Sequence, residues 1–134
     1  MSLTLAHICI LIAALLPIVC VGIAKGGMFG KRRSEGGYDN HDPRAWLAKQ
    51  TGYRARANAA QANSFEALPL FIAGVLIAQQ TQARQGLVNA LAVAFVVLRV
   101  VYIWLYVSDR QMARSVVWFL GLVVSIALVF SSLC

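Results

Sequence analysis

The chain has 134 residues, of which 60% are hydrophobic and only 13% charged. That balance excludes a soluble domain, in which about a quarter of the residues carry charge, and leaves an integral membrane protein. The net charge of +7 would suit a nucleic-acid binder by size alone, but its distribution along the chain excludes that reading.

Four stretches are long enough to span a bilayer as helices, at residues 3–24, 57–80, 85–108 and 115–134. Each has roughly 20 residues or more, which matches a hydrocarbon core of about 30 Å at about 1.5 Å per residue. Together they use nearly the whole chain as one domain. The fold class is therefore an all-α membrane protein, an antiparallel four-transmembrane-helix bundle. The first stretch has no basic residue before its apolar run and no small-residue cleavage site, so it reads as a retained span and not a signal peptide. Cys9, Cys20 and Cys134 have no metal-type spacing and read as small apolar residues facing neighbours. No metal site is expected.

The first connection, residues 25–56, is the only long one. Its glycines, among them Gly26, Gly27, Gly30, Gly36 and Gly37, predict an irregular, mobile first half. Asp42-Pro43 then reads as a helix start, with Asp42 as N-cap. The spacing predicts a short surface helix over 43–50 that carries Trp46 at the level of the lipid head groups. The other connections, near 80–84 and 109–114, are tight and force antiparallel neighbours.

Of the twelve basic residues, all but Arg84 and Arg99 lie in or beside the first and third connections. Such asymmetry predicts a cytoplasmic first loop and both termini on the opposite side, which in a bacterium is the periplasmic face of the inner membrane. The same residues would attract anionic lipid head groups, so membrane lipids rather than nucleic acid are the expected partners.

Two spans carry polar residues. On the second, Arg56, Asn63 and Glu66 fall on one helical face; on the third, Arg99, Tyr102 and Tyr106 do the same. Helical rise puts Glu66 and Arg99 about 15 Å and about 14 Å from the cytoplasmic end, and Asn63 and Tyr102 at about 10 Å. The expectation is a polar column open to the cytoplasm and floored by a buried Glu66–Arg99 pair. A carboxylate at that depth is costly and marks a pathway, a ligand site or a partner charge. An ion pair serving only as glue between helices is the alternative for those two residues.

The run RANAAQANSFEALPLF, with Arg56, Asn63, Glu66 and Pro69, resembles the second-helix signature of the MAPEG family, the membrane-associated proteins in eicosanoid and glutathione metabolism. Arg99, Tyr102, Tyr106 and Arg114-Ser115 are similar to that family's third-helix face and the arginine opening its fourth helix. The resemblance covers most of the chain and, given its length, implies a bacterial member. It implies a homotrimer of four-helix subunits with glutathione as co-substrate, bound between subunits near the cytoplasmic side. By carry-over, Arg56, Asn63, Glu66, Arg99, Tyr102 and Tyr106 would bind glutathione or brace its site. Arg114 would stand beside the thiol as the catalytic residue, and a hydrophobic small-molecule substrate would arrive from the lipid.

The chemistry is coherent. Carboxylates call for arginine forks, an ammonium calls for a carboxylate, and a nearby cation lowers a thiol's pKa. Two positions depart from the pattern, because Ala59 and Ala67 stand where relatives often carry arginine and tyrosine. Leukotriene synthesis is therefore not expected, and a catalytically silent lipid-binding or scaffold member is the runner-up. A small four-helix exporter is a third reading, although such chains place their glutamate in the first helix and lack a long basic loop.

Overall fold

The computed structural model of the chain describes residues 2–134. It contains five α-helices: α1 (Leu5–Lys25), α2 (Pro43–Ala48), α3 (Gly52–Gln80), α4 (Gln85–Val107) and α5 (Gln111–Val129). No strand occurs among the described residues. Helices α1, α3, α4 and α5 are long and apolar enough to cross a membrane. Their outward faces carry large apolar side chains such as Leu11, Ile18, Leu76, Val97, Trp104 and Phe119, as a lipid-facing surface requires.

α3 sits at the centre of the bundle and packs against α1, α4 and α5; α4 also contacts α1 and α5. The buried stripe of α3 runs through Ala57, Ala60, Ser64, Phe71, Gly74, Val75 and Ala78. Small residues here let backbones approach closely, which is the main source of packing between membrane helices. Gly74 shows how closely: a Cβ there would lie 2.9 Å from the Ser125 carbonyl oxygen of α5. One turn away, the Phe71 and Phe95 rings stack at 4.0 Å between α3 and α4.

The helix bounds fall within two residues of the sequence reading for α1 and α4 and differ by more for the other two spans. α3 begins at Gly52, not at residue 57, because the polar turn carrying Arg54 and Arg56 continues the helix beyond the apolar stretch. At 29 residues α3 is about 43 Å long, so its loop end projects past a hydrocarbon core of about 30 Å. α5 begins at Gln111, not at residue 115, because the chain reverses at Asp109 in a left-handed conformation (φ 63°). α5 ends at Val129, and a 3-10 turn, Ser131–Leu133, follows it.

The first loop is irregular, as expected, with a 3-10 turn at Arg33–Glu35, yet it is folded back on itself. Gly36 takes φ 83°, and a side chain at Gly37 would collide with the Lys31 carbonyl. Asp42 caps α2 by accepting from the Ala45 N–H at 3.2 Å. The helix stops at Ala48, short of the expected residue 50. Trp46 is buried within the folded loop. Its indole N–H donates to the Gly36 carbonyl at 3.3 Å and its ring meets Tyr38 edge-on. A folded loop gives the indole a partner that lipid head groups would otherwise supply.

Candidate functional site

α3, α4 and α5 together form a cleft near the loop end of the bundle, lined by Asn63, Tyr102, Tyr106, Arg114, Ser115 and Trp118, with a volume of about 190 Å³. Asn63, Tyr102 and Tyr106 are residues singled out by spacing, and Arg114 and Ser115 are the pair that the family resemblance pointed to. Tyr102 and Tyr106 pack edge-to-face at 5.7 Å along one face of α4. Arg114 lies in the first turns of α5, where its guanidinium rests on the Tyr106 ring, 4.1 Å from the centroid. At that distance the ring quadrupole attracts the cation and orients it.

Arg99 lies below the cleft floor and is 4% exposed. Its Nη2 donates to Asn63 Oδ1 at 2.9 Å and to Ser64 Oγ at 3.1 Å. The Tyr102 ring covers its face at 4.1 Å. These neutral partners replace the carboxylate expected there. Glu66 does not pair with Arg99, and the only ion pair within 4.0 Å among the described residues is the exposed Arg33–Asp39 contact at 3.7 Å.

Helical geometry explains the correction. At about 100° per residue, Glu66 stands about 160° around α3 from Ser64, which faces α4. Asn63 lies between the two directions and reaches the cleft flank. Glu66 therefore points outward and is exposed on the single chain.

Arg56 is also absent from the cleft lining. Its Nε donates to the Val107 carbonyl at 3.0 Å, at the last turn of α4. Arg54 does the same for α1, donating from Nη1 to Ala24 O at 2.9 Å and to Gly26 O at 2.7 Å. Helix C-termini leave carbonyls without partners and carry partial negative charge, so both arginines act as caps.

Sequence reasoning missed Ser64 and Trp118. The spacing of Ala57, Ala60 and Ser64, at intervals of three and four, is the signal for a close helix contact. Trp118 falls one turn after Arg114 on the same face of α5. It also borders a smaller pocket of about 50 Å³, shared with Ala67, Leu70, Arg99, Gly121 and Ser125.

A larger cavity, about 610 Å³, lies at the opposite end, where the chain termini are, and is lined by Thr4, His7, Gln79, Gln82 and Gln85 among others. Its polar groups largely satisfy one another. Gln79 and Gln85 exchange amide hydrogen bonds at 3.0 and 2.9 Å. Thr4 Oγ1 donates to Gln79 Oε1 at 3.2 Å, and Gln85 Nε2 donates to Asn89 Oδ1 at 2.8 Å. No group of three His, Cys, Asp or Glu side chains among the described residues gathers as a metal ion would need.

The sequence model of the MAPEG family matches residues 5–134, essentially the full length. The chain belongs to the MAPEG family. Membership and four membrane-spanning helices make it an integral membrane protein and point to a role connected with glutathione or eicosanoid metabolism. Neither a curated protein nor a solved structure matches the chain.

Proposed function

We propose that the chain is a membrane-embedded, glutathione-dependent transferase or peroxidase of microsomal type, acting on hydrophobic electrophiles. The observation that carries this reading is the convergence of Asn63, Tyr102, Tyr106, Arg114 and Ser115 on one cleft at the basic end of the bundle. That set supplies hydrogen-bond donors and a cation for an anionic thiol peptide, beside apolar helix faces that admit a lipid-soluble partner.

Arg114 carries the chemistry. Its guanidinium favours the thiolate over the thiol of bound glutathione, while the Ser115 hydroxyl donates to the Gln111 carbonyl at 3.1 Å and leaves its oxygen lone pairs to the cleft. The thiol proton leaves to water at the open end of the cleft. The sulfur lone pair then forms a bond to the electrophilic carbon, and the leaving group departs with its bonding electrons. In the peroxidase variant the thiolate attacks the terminal oxygen of a hydroperoxide, and the O–O bond breaks with its electrons on the second oxygen, which leaves as alkoxide and takes a proton from water to become the alcohol. A second glutathione then reduces the sulfenic product to give glutathione disulfide and water.

Two features support a homotrimer with shared sites. A cleft of about 190 Å³ is small for a tripeptide, since ligand sites usually span about 300–1,000 Å³. Glu66 exposes a carboxylate within the bilayer, where an uncovered charge is costly. A neighbouring subunit packed on that face of α3 would enlarge the cleft and cover Glu66, bringing Glu66 within reach of the ligand's ammonium. The basic loop supports an orientation with the cleft on the cytoplasmic side of the inner membrane and both termini periplasmic.

Ala59 and Ala67 favour a second reading, a silent member of the family that holds a lipid in the same cleft. Conjugation of chlorodinitrobenzene by purified protein in detergent decides between the two. Glutathione-dependent turnover supports the enzyme, and no turnover together with a co-purified lipid supports the silent member.

A further inference from the structure

Arg99 is buried and charged, yet it is not among the residues lining the cleft. A guanidinium has five N–H donors and no acceptor. The Asn63 atom that meets Arg99 Nη2 at 2.9 Å is therefore the carboxamide oxygen. The second Nη2 hydrogen is directed to Ser64 Oγ, and Tyr102 closes one face of the guanidinium. Arg99 is thus held on three sides. Asn63 is half-buried and lines the cleft, and no acceptor among the described residues bonds its Nδ2. With its oxygen engaged on the Arg99 side, the carboxamide has only N–H groups left to offer the cleft.

We infer that Arg99 is a positioning residue that locks the Asn63 carboxamide as a donor at the cleft wall, so that the ligand group meeting Asn63 is a carbonyl or carboxylate and not an ammonium. This rests on the glutathione reading and deepens it: it assigns the acceptor end of the peptide to the Asn63 wall. Without Arg99 the carboxamide presents either end, and the wall no longer discriminates acceptor from donor.

The test joins a ligand-free and a ligand-bound readout on the full chain in detergent. The chain has four asparagines, Asn40, Asn58, Asn63 and Asn89. With 15N-asparagine labelling, the Asn63 side-chain pair is identified by its loss in Asn63→Gln. In the wild type it should stand apart from that of exposed Asn40, and in Arg99→Met it should move to the solvent-exposed position. Arg99→Lys, which keeps a donor, should restore part of the shift.

In glutathione titrations, Arg99→Met and Asn63→Ala should each weaken affinity by about tenfold, as expected for one hydrogen bond to a charged or strongly polar group. The double variant should be no weaker than Asn63→Ala alone. Asn63→Asp keeps an oxygen towards Arg99 but turns an acceptor to the cleft, so it should bind worse than Asn63→Ala. These losses should appear in KM with kcat nearly unchanged.

An Asn63 pair unmoved in Arg99→Met overturns the inference, as do losses that multiply in the double variant. If the pair moves as expected but wild-type protein binds no glutathione, the glutathione reading fails while the positioning role stands.

Discussion

The two ends of the bundle use polar side chains in opposite ways. At the terminal end, Gln79, Gln85, Asn89 and Thr4 are neutral and bond one another; they tie α1, α3 and α4 together and leave little free valence. At the loop end, Arg114 is held by an aromatic ring alone, and the Asn63 Nδ2 group has no acceptor among the described residues. The larger cavity belongs to the first end and the stronger chemistry to the second. Cavity volume is thus a poor guide to function here. What separates the two ends is whether polar groups are already satisfied within the chain, because a satisfied network stabilises and an unsatisfied one binds.

The strongest way to break this comparison is to remove the free cation. Arg114→Ala should lower kcat for conjugation by about 10²–10³-fold, in line with loss of one preorganised charge at a reacting anion. The melting temperature should stay close to wild type, since Arg114 makes no hydrogen bond within the fold through its side chain. Wild-type activity in this variant would remove Arg114 from the mechanism.

A smaller effect sharpens the same point. Tyr106→Leu takes away the ring that seats Arg114 and should reduce kcat/KM by roughly tenfold, the scale of a desolvated cation–π contact. Tyr106→Phe keeps the ring and should retain most of the activity. Equal losses in both variants would mean that the hydroxyl, not the ring, matters.

At the other end, Gln85→Leu should cost about 1–2 kcal/mol of stability by removing its hydrogen bonds with Gln79 and Asn89, read as a lower melting temperature. Glutathione-dependent turnover should not change. A loss of turnover at unchanged stability would join the two ends functionally and break the contrast. The smallest effect belongs to the surface pair: Asp39→Asn should shift stability by less than about 0.5 kcal/mol, measured by the same melting experiment.

Much of this was legible from the residues alone, and the failures share one cause. Spans and tight turns follow from what the hydrocarbon tolerates, so hydropathy located them. Depth follows from helical rise, so Asn63 and Tyr102 were matched across two helices and do meet the same cleft. Azimuth was not legible. The interval between Asn63 and Glu66 shows that they share a face, but not that α4 packs on the Ser64 side and leaves Glu66 outside. Arg56 likewise looks like a cleft or interface cation in sequence. Its long side chain instead reaches the end of a different helix, a partner that no local pattern encodes. The burial of Trp46 was not legible for a similar reason, since its acceptor at Gly36 exists only once the glycine-rich loop has folded.

The central claim is that the loop-end cleft binds glutathione through Arg114 and its neighbours. It is tested most directly by thermal unfolding of the purified protein in detergent during a glutathione titration, with Arg114→Ala in parallel. On this account the wild type should be stabilised progressively, by about 2.7 kcal/mol at a hundredfold excess over Kd and further with each added decade of glutathione, and the variant should respond clearly less. A wild-type melting temperature that does not move at any glutathione concentration, or moves identically in Arg114→Ala, would contradict it.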